Sequence, residues 1–192
     1  MNVQRTALAL FLIAGSSAAV AHPGHSDGFL AAVAHPWLGW DHLLAMVLVG
    51  ILAAGYGGLR GLALPVAFVA SLMVAAAWAA MGAGAAFVPY VESAILASLL
   101  VLGALVAVQR QFSLPLLAAL VAVLGFSHGF AHGLELSAGQ GLALAGMALS
   151  TAVLHGAGFA LSRGLGPRFA WTLRALGLMI GFAGAAALLL RA

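Results

Sequence analysis

Apolar residues in this chain fall in long unbroken runs. They do not keep to one stripe of a helix or to alternate positions of a strand. Six runs have the length of a membrane crossing: 38–57, 62–82, 92–108, 114–133, 141–161 and 170–190. A helix needs about 20 mainly apolar residues to span hydrocarbon, and each run is apolar all round. The breaks between runs carry turn signals: Gly55 to Gly61 around Arg60, Gly82 to Pro89, Gln109 to Ser113, Gly133 to Gly141, and Gly164 to Pro167. The pattern predicts an all-α, polytopic helical bundle of six transmembrane helices. Loops this short predict that sequence neighbours pack as antiparallel neighbours in space. No soluble domain and no internal repeat is visible.

A shorter apolar run precedes these six. Arg5, the stretch Ala7 to Ala14, and Ala19-Val20-Ala21 fit the charged, apolar and cleavage regions of a secretory signal. The expected organisation is a signal peptide over 1–21 and a histidine-containing periplasmic segment over 22–37. A six-span domain over 38–192 follows.

Composition narrows the class. Of 192 residues, 65% are hydrophobic and 6% charged, whereas a soluble domain is about a quarter charged. A soluble globule, a disordered tail and a nucleic-acid binder are excluded. The lipid bilayer is the expected partner. The formal charge of +3 reads as a topology signal. With the N-terminus outside and six crossings, Arg60, Arg110, Arg163 and Arg168 fall in inner loops. Arg174 lies just inside the last span at that same side. Arg191 alone falls on the wrong side. Asp27, Asp41, Glu92 and Glu135, the four acids, fall outside or at the outer boundary. Trp37, Trp40 and Tyr90 mark the outer interface, and Phe112, Phe169 and Trp171 the inner one. The expected location is a bacterial inner membrane.

Seven histidines stand against four acids and no cysteine. Without cysteine there are no disulfides, thiolate metal sites or cysteine nucleophiles. The first histidine constellation is His35-Pro36-Trp37-Leu38-Gly39-Trp40-Asp41-His42. Pro36 suits the first turn of a helix. On a helix running from there, His35 and His42 share one face about two turns apart, and Asp41 can ligate a metal or orient an imidazole. A charged residue at this depth costs about 2–3 kcal/mol, with no structural need for it.

The second constellation is Phe126-Ser127-His128-Gly129-Phe130-Ala131-His132-Gly133-Leu134-Glu135. His128 and His132, four apart, present two imidazoles on one helical face, a spacing that binds one metal ion. Glu135 joins that face if the helix continues. Gly125, Gly129 and Gly133 form a small-residue stripe that admits a second helix backbone closely. Secondary metal or proton-relay candidates are His22, His25, Glu92 and His155. Each has a plainer reading: a solvated tail for His22 and His25, a helix-terminal charge for Glu92, and a hydrogen-bonded core residue for His155. The methionines, scattered among leucines and valines, read as packing residues. Nitrogen and carboxylate donors without thiolate suit nickel, cobalt, zinc or oxidised copper, and disfavour magnesium and calcium.

The motifs HPWLGWDH (35–42) and FSHGFAHGLE (126–135), with HPGH (22–25) after the signal, resemble those of the HupE/UreJ membrane proteins. The likeness runs through the whole chain in length and span order. That family accompanies nickel-iron hydrogenases and ureases. The resemblance implies a non-enzymatic permease for secondary uptake of Ni²⁺ or Co²⁺. The metal is then cargo, with no permanently bound cofactor. It assigns His35, Asp41 and His42 to ion capture and His128, His132 and Glu135 to the second half of the site. It leaves oligomeric state and any metallochaperone unspecified. No nucleotide-binding motif such as GxxxxGK[ST] is present. Two other classes fit the same donors. One is a metal-binding accessory or sensor that does not transport. The other is an intramembrane zinc hydrolase using Ser127 or Asp41.

Overall fold

The computed structural model describes residues 28–136, 141–166 and 170–191. These form α1 (Phe29–Leu38), α2 (Trp40–Ala54), α3 (Ala63–Ala80), α4 (Val91–Val108), α5 (Leu114–Glu135), α6 (Gly141–Leu165) and α7 (Ala170–Arg191). Short 3₁₀ turns, Gly58–Leu62 and Ala85–Tyr90, precede α3 and α4. Among the described residues there is no strand. Among the described residues five helices are long and apolar enough to cross a membrane, and α1 with α2 makes a sixth crossing if the bent pair counts as one. Helix is the form that satisfies every backbone polar group inside lipid. The chain is therefore an all-α, multi-pass membrane protein. The expected signal segment 1–21, with His22 and His25, lies outside the described residues.

Predicted and observed helix limits agree closely from the second run onward. The first run differs. In place of one straight helix over 38–57, two helices meet at Gly39 with a bend of 85°. Gly39 is extended (φ −87°, ψ 108°). Pro36 sits near the end of α1 rather than at a helix start, and it denies the ladder one N–H there. A fresh helix then begins at Trp40, with Asp41 in its first turn, where a negative charge is favoured.

Helix pairing also departs from the expectation. The intimate pairs are α3 with α5, α4 with α7, and α2 with α6, none of them consecutive. Small residues decide this. In a membrane, apolar burial does not drive helices together, so close backbone packing does. A Cβ on Gly125, Gly129 or Gly133 would strike Phe68, Leu72 or Ala76 in turn, a rising register that makes α3 and α5 parallel. Ser71 adds a hydrogen bond from its hydroxyl to the Ala122 carbonyl, 2.5 Å. Gly103 meets Gly177 and Gly181, and Gly184 meets Leu96 and Leu99, so α4 and α7 run antiparallel. Gly50 and Gly158 bring α2 against α6 beside His155. The core of Met46, Leu48, Phe68, Leu72, Leu99 and Leu102 lies between these pairs. Leu116, Val123, Leu178, Phe182 and Leu189 point outward, exposed, as a lipid-facing surface requires.

The bundle has two chemically distinct ends. One carries the histidine motifs, Glu92 and Glu135. The other carries Arg110 and Arg163, which line a cavity of about 510 Å³ with Tyr56, Gln109 and Gln111. At this arginine end Gln109 closes α4 in the left-handed conformation (φ 52°). Its side-chain amide donates to the Ala170 carbonyl, and its oxygen accepts from Arg174. Arg191, the exception in the arginine pattern, is ion-paired with Glu92 at the histidine end.

Candidate metal-binding site

His35 comes from α1, Asp41 and His42 from the first turn of α2, and His128, His132 and Glu135 from the last two turns of α5. His35 and His42 do not share a helical face as expected, because the bend at Gly39 separates them. The bend lets α1 lie across the end of the bundle, docked on α6 through Ala32, Ala143 and Met147. His35 then approaches the α5 histidines from a different direction than His42.

The side chains form a file. Glu135 Oε2 lies 3.3 Å from His35 Nε2. His35 stands edge-on to His132, with ring centroids 5.0 Å apart. His42 lies 4.6 Å from His132 and 4.7 Å from His128, again between centroids. At the start of the file the side chains of Glu135 and His35 are 60% and 44% exposed. Beyond them His132 and His128 are buried and the His42 side chain is 12% exposed. The file thus leads from surface to interior. At its mouth the donor atoms of His35, His132 and Glu135 lie within 4.8 Å of one another. Metal–ligand bonds of about 2.1 Å place donors no more than about 4.2 Å apart, so small rotations would close this trio on an ion.

Neighbours fix which nitrogen His42 and His128 offer. The Asp41 carboxylate lies 2.8 Å from His42 Nδ1 and also accepts from the His42 backbone N–H at 2.8 Å. A carboxylate only accepts, so Nδ1 carries the proton and Nε2 presents its lone pair. Ser98, on α4, donates its hydroxyl to the Ile95 carbonyl at 2.6 Å. Its oxygen, 2.9 Å from His128 Nε2, must then accept from that nitrogen. His128 Nδ1 is left with a free lone pair. His42 Nε2 and His128 Nδ1 are indeed buried without a partner among the described residues, as is His132 Nε2. Buried polar atoms are rarely unpaired in a finished fold. The His42 and His128 lone pairs, each held from behind by a hydrogen-bonded neighbour, lie beside the unpartnered His132 Nε2 and make a candidate set of metal donors.

Of the secondary candidates, Glu92 is not brought to this file. It opens α4 and pairs with Arg191, which answers its charge without a metal. His155 is brought near. The Phe68 ring centroid lies 5.5 Å from that of His128 and 5.2 Å from that of His155. Sequence reasoning missed Ser98 and Phe68. Each is a single polar or aromatic residue in an apolar run, with no local signal of its role. Ser127, the candidate nucleophile, donates to the Leu124 carbonyl at 2.7 Å. That is an ordinary back-bond along its own helix.

Among known proteins, the chain matches the family model described as HupE / UreJ protein over residues 9–187. It is 36% identical over 192 residues to the protein HupE of Rhizobium leguminosarum bv. viciae, covering 98% of this chain and 99% of the relative. No solved structure matches it. A match along nearly the whole length, together with a full-length relative, establishes that the chain belongs to the HupE/UreJ family, associated with nickel accessory function for hydrogenase and urease.

Proposed function

We propose that this protein is a secondary carrier of a divalent transition-metal ion, Ni²⁺ with Co²⁺ as second cargo. It moves the ion from the histidine end to the arginine end, to supply hydrogenase or urease maturation. In this reading the histidine end faces the periplasm, the signal is removed after Ala21, and the arginine end faces the cytoplasm. The supporting observation is the file of imidazoles that passes from exposed to buried while its innermost lone pairs have no protein partner. His35 and Glu135 would capture the ion at the mouth. His42, His132 and His128 would replace its water. The neutral imidazoles and thiol-free donor set suit a borderline ion such as Ni²⁺.

A hydrolase is less well supported, because Ser127 is engaged with its own helix and Asp41 with His42. The test is uptake by purified protein in liposomes containing a fluorescent chelator, with Ni²⁺, Co²⁺ and Zn²⁺ offered in turn. Wild type is expected to accumulate Ni²⁺. His42→Ala and His128→Ala are each expected to lose at least about tenfold, the scale of removing a metal-site group. Uptake retained in both variants overturns the assignment. Ni²⁺ binding without uptake by wild type would mark a sensor or accessory instead.

A further inference from the structure

We propose a second cation site, formed by His155, Thr151 and Ser150 on α6 and partitioned from the first by the ring of Phe68. The inference rests on the reading of the histidine file as the place where the ion first binds. Thr151 precedes His155 by four residues and so lies one turn away on the same helical face, with Ser150 beside it. All three are buried. Neither ring nitrogen of His155 and neither hydroxyl has a hydrogen-bond partner among the described residues. Four orphaned polar atoms within two turns of one helix are more than packing accounts for. His155 lies where α2 and α6 pack backbone against backbone, Gly50 resting on its carbonyl.

The position continues the file. Beyond His128 comes Phe68, buried and edge-on to His155. Ser162 follows two turns further along α6 and already lines the cavity at the arginine end. An ion leaving His128 would therefore pass Phe68, reach His155, and go on toward that cavity. The donors at each step also change in kind. The outer set has four imidazoles and two carboxylates, whereas the inner set has one imidazole and two hydroxyls, all neutral. Fewer and weaker donors make the inner site the weaker one. That is what a multi-site pathway needs if the ion is to leave as well as bind.

Isothermal titration of the full-length protein in detergent with NiCl₂ separates the sites. Wild type is expected to show two classes of binding, one tighter than the other. His155→Ala should lose the weaker class and keep the tighter. Thr151→Val, which preserves volume, should weaken the weaker class by about tenfold and guards against a folding defect in the first variant. His42→Ala should do the reverse and lose the tighter class. A single class in wild type that both α6 variants leave unchanged overturns the inner site, as does survival of both classes in both variants. If His42→Ala has no effect while His155→Ala strips one class, the outer reading fails and the inner site stands.

Discussion

At the scale of single residues, the site depends on which nitrogen each imidazole turns inward. His128 shows how this is settled. Ser98 has one hydroxyl hydrogen and donates it to Ile95, so its lone pairs receive His128 Nε2 and leave Nδ1 for an ion. Removing the serine oxygen frees the ring to rotate and to take the other tautomer. Ser98→Ala is therefore expected to weaken Ni²⁺ binding by about tenfold, the lower end for loss of a group behind a metal ligand. Thermal stability should fall by about 1–3 kcal/mol, since the buried His128 Nε2–H loses its acceptor. Titration calorimetry with a parallel melting curve checks both halves, and unchanged affinity would show that Ser98 does not orient His128. The candidate donors could be picked out in the sequence because their spacing is local: Asp41 next to His42, and His132 one turn from His128. Ser98 could not, because it lies 30 residues from its partner and on another helix. Phe68 could not, because one phenylalanine in an apolar span looks like packing.

At the scale of elements, the α3–α5 pair holds the two α5 histidines in place. Its contact is backbone on backbone, and a Cβ at Gly129 would lie 2.6 Å from the Leu72 carbonyl carbon. Backbone cannot yield as a flexible side chain can. Gly129→Ala is expected to destabilise the protein by about 1–3 kcal/mol, the usual scale for overpacking. It should also displace the flanking His128 and His132 enough to weaken Ni²⁺ binding. Gly156→Ala is the control, because nothing lies within 4 Å of the added carbon. It should melt at or above the wild-type temperature, alanine being the better helix former. A Gly129→Ala protein as stable as this control would refute the close contact. The six apolar runs were legible because span length and continuous hydrophobicity need no tertiary information. Two features were not. Short loops suggested that consecutive helices would pair. Pairing follows instead from where small residues match across helices, and small residues occur on every span. Pro36 suggested a helix start, yet the new helix begins four residues later at Trp40, where Gly39 breaks the ladder and Asp41 supplies a charge for the first turn.

At the scale of the whole molecule, the decisive property is polarity from end to end. Glu135, Asp41 and the outer histidines gather at one end, while Arg60, Arg110, Arg163 and Arg174 gather at the other. Arg191, the one arginine at the histidine end among the described residues, is neutralised by Glu92. Arginine-rich loops remain on the cytoplasmic side of bacterial membranes, so in the proposed carrier this polarity gives both the orientation and the direction of transport. The chain has no cysteine, and single introduced cysteines can therefore report each end without background. Leu59, in the 3₁₀ turn beside Arg60, and Val88, in the turn before α4, are both exposed. With the outer membrane opened, Val88→Cys is expected to react with a membrane-impermeant maleimide in otherwise intact cells. Leu59→Cys should react only after the inner membrane is permeabilised. Neither position touches the histidine file, so uptake should persist in both variants and show that the labelled protein is the working one. The opposite labelling pattern would place the arginine cavity outside. The ion would then meet cationic side chains before any histidine, and import by the proposed route would be ruled out.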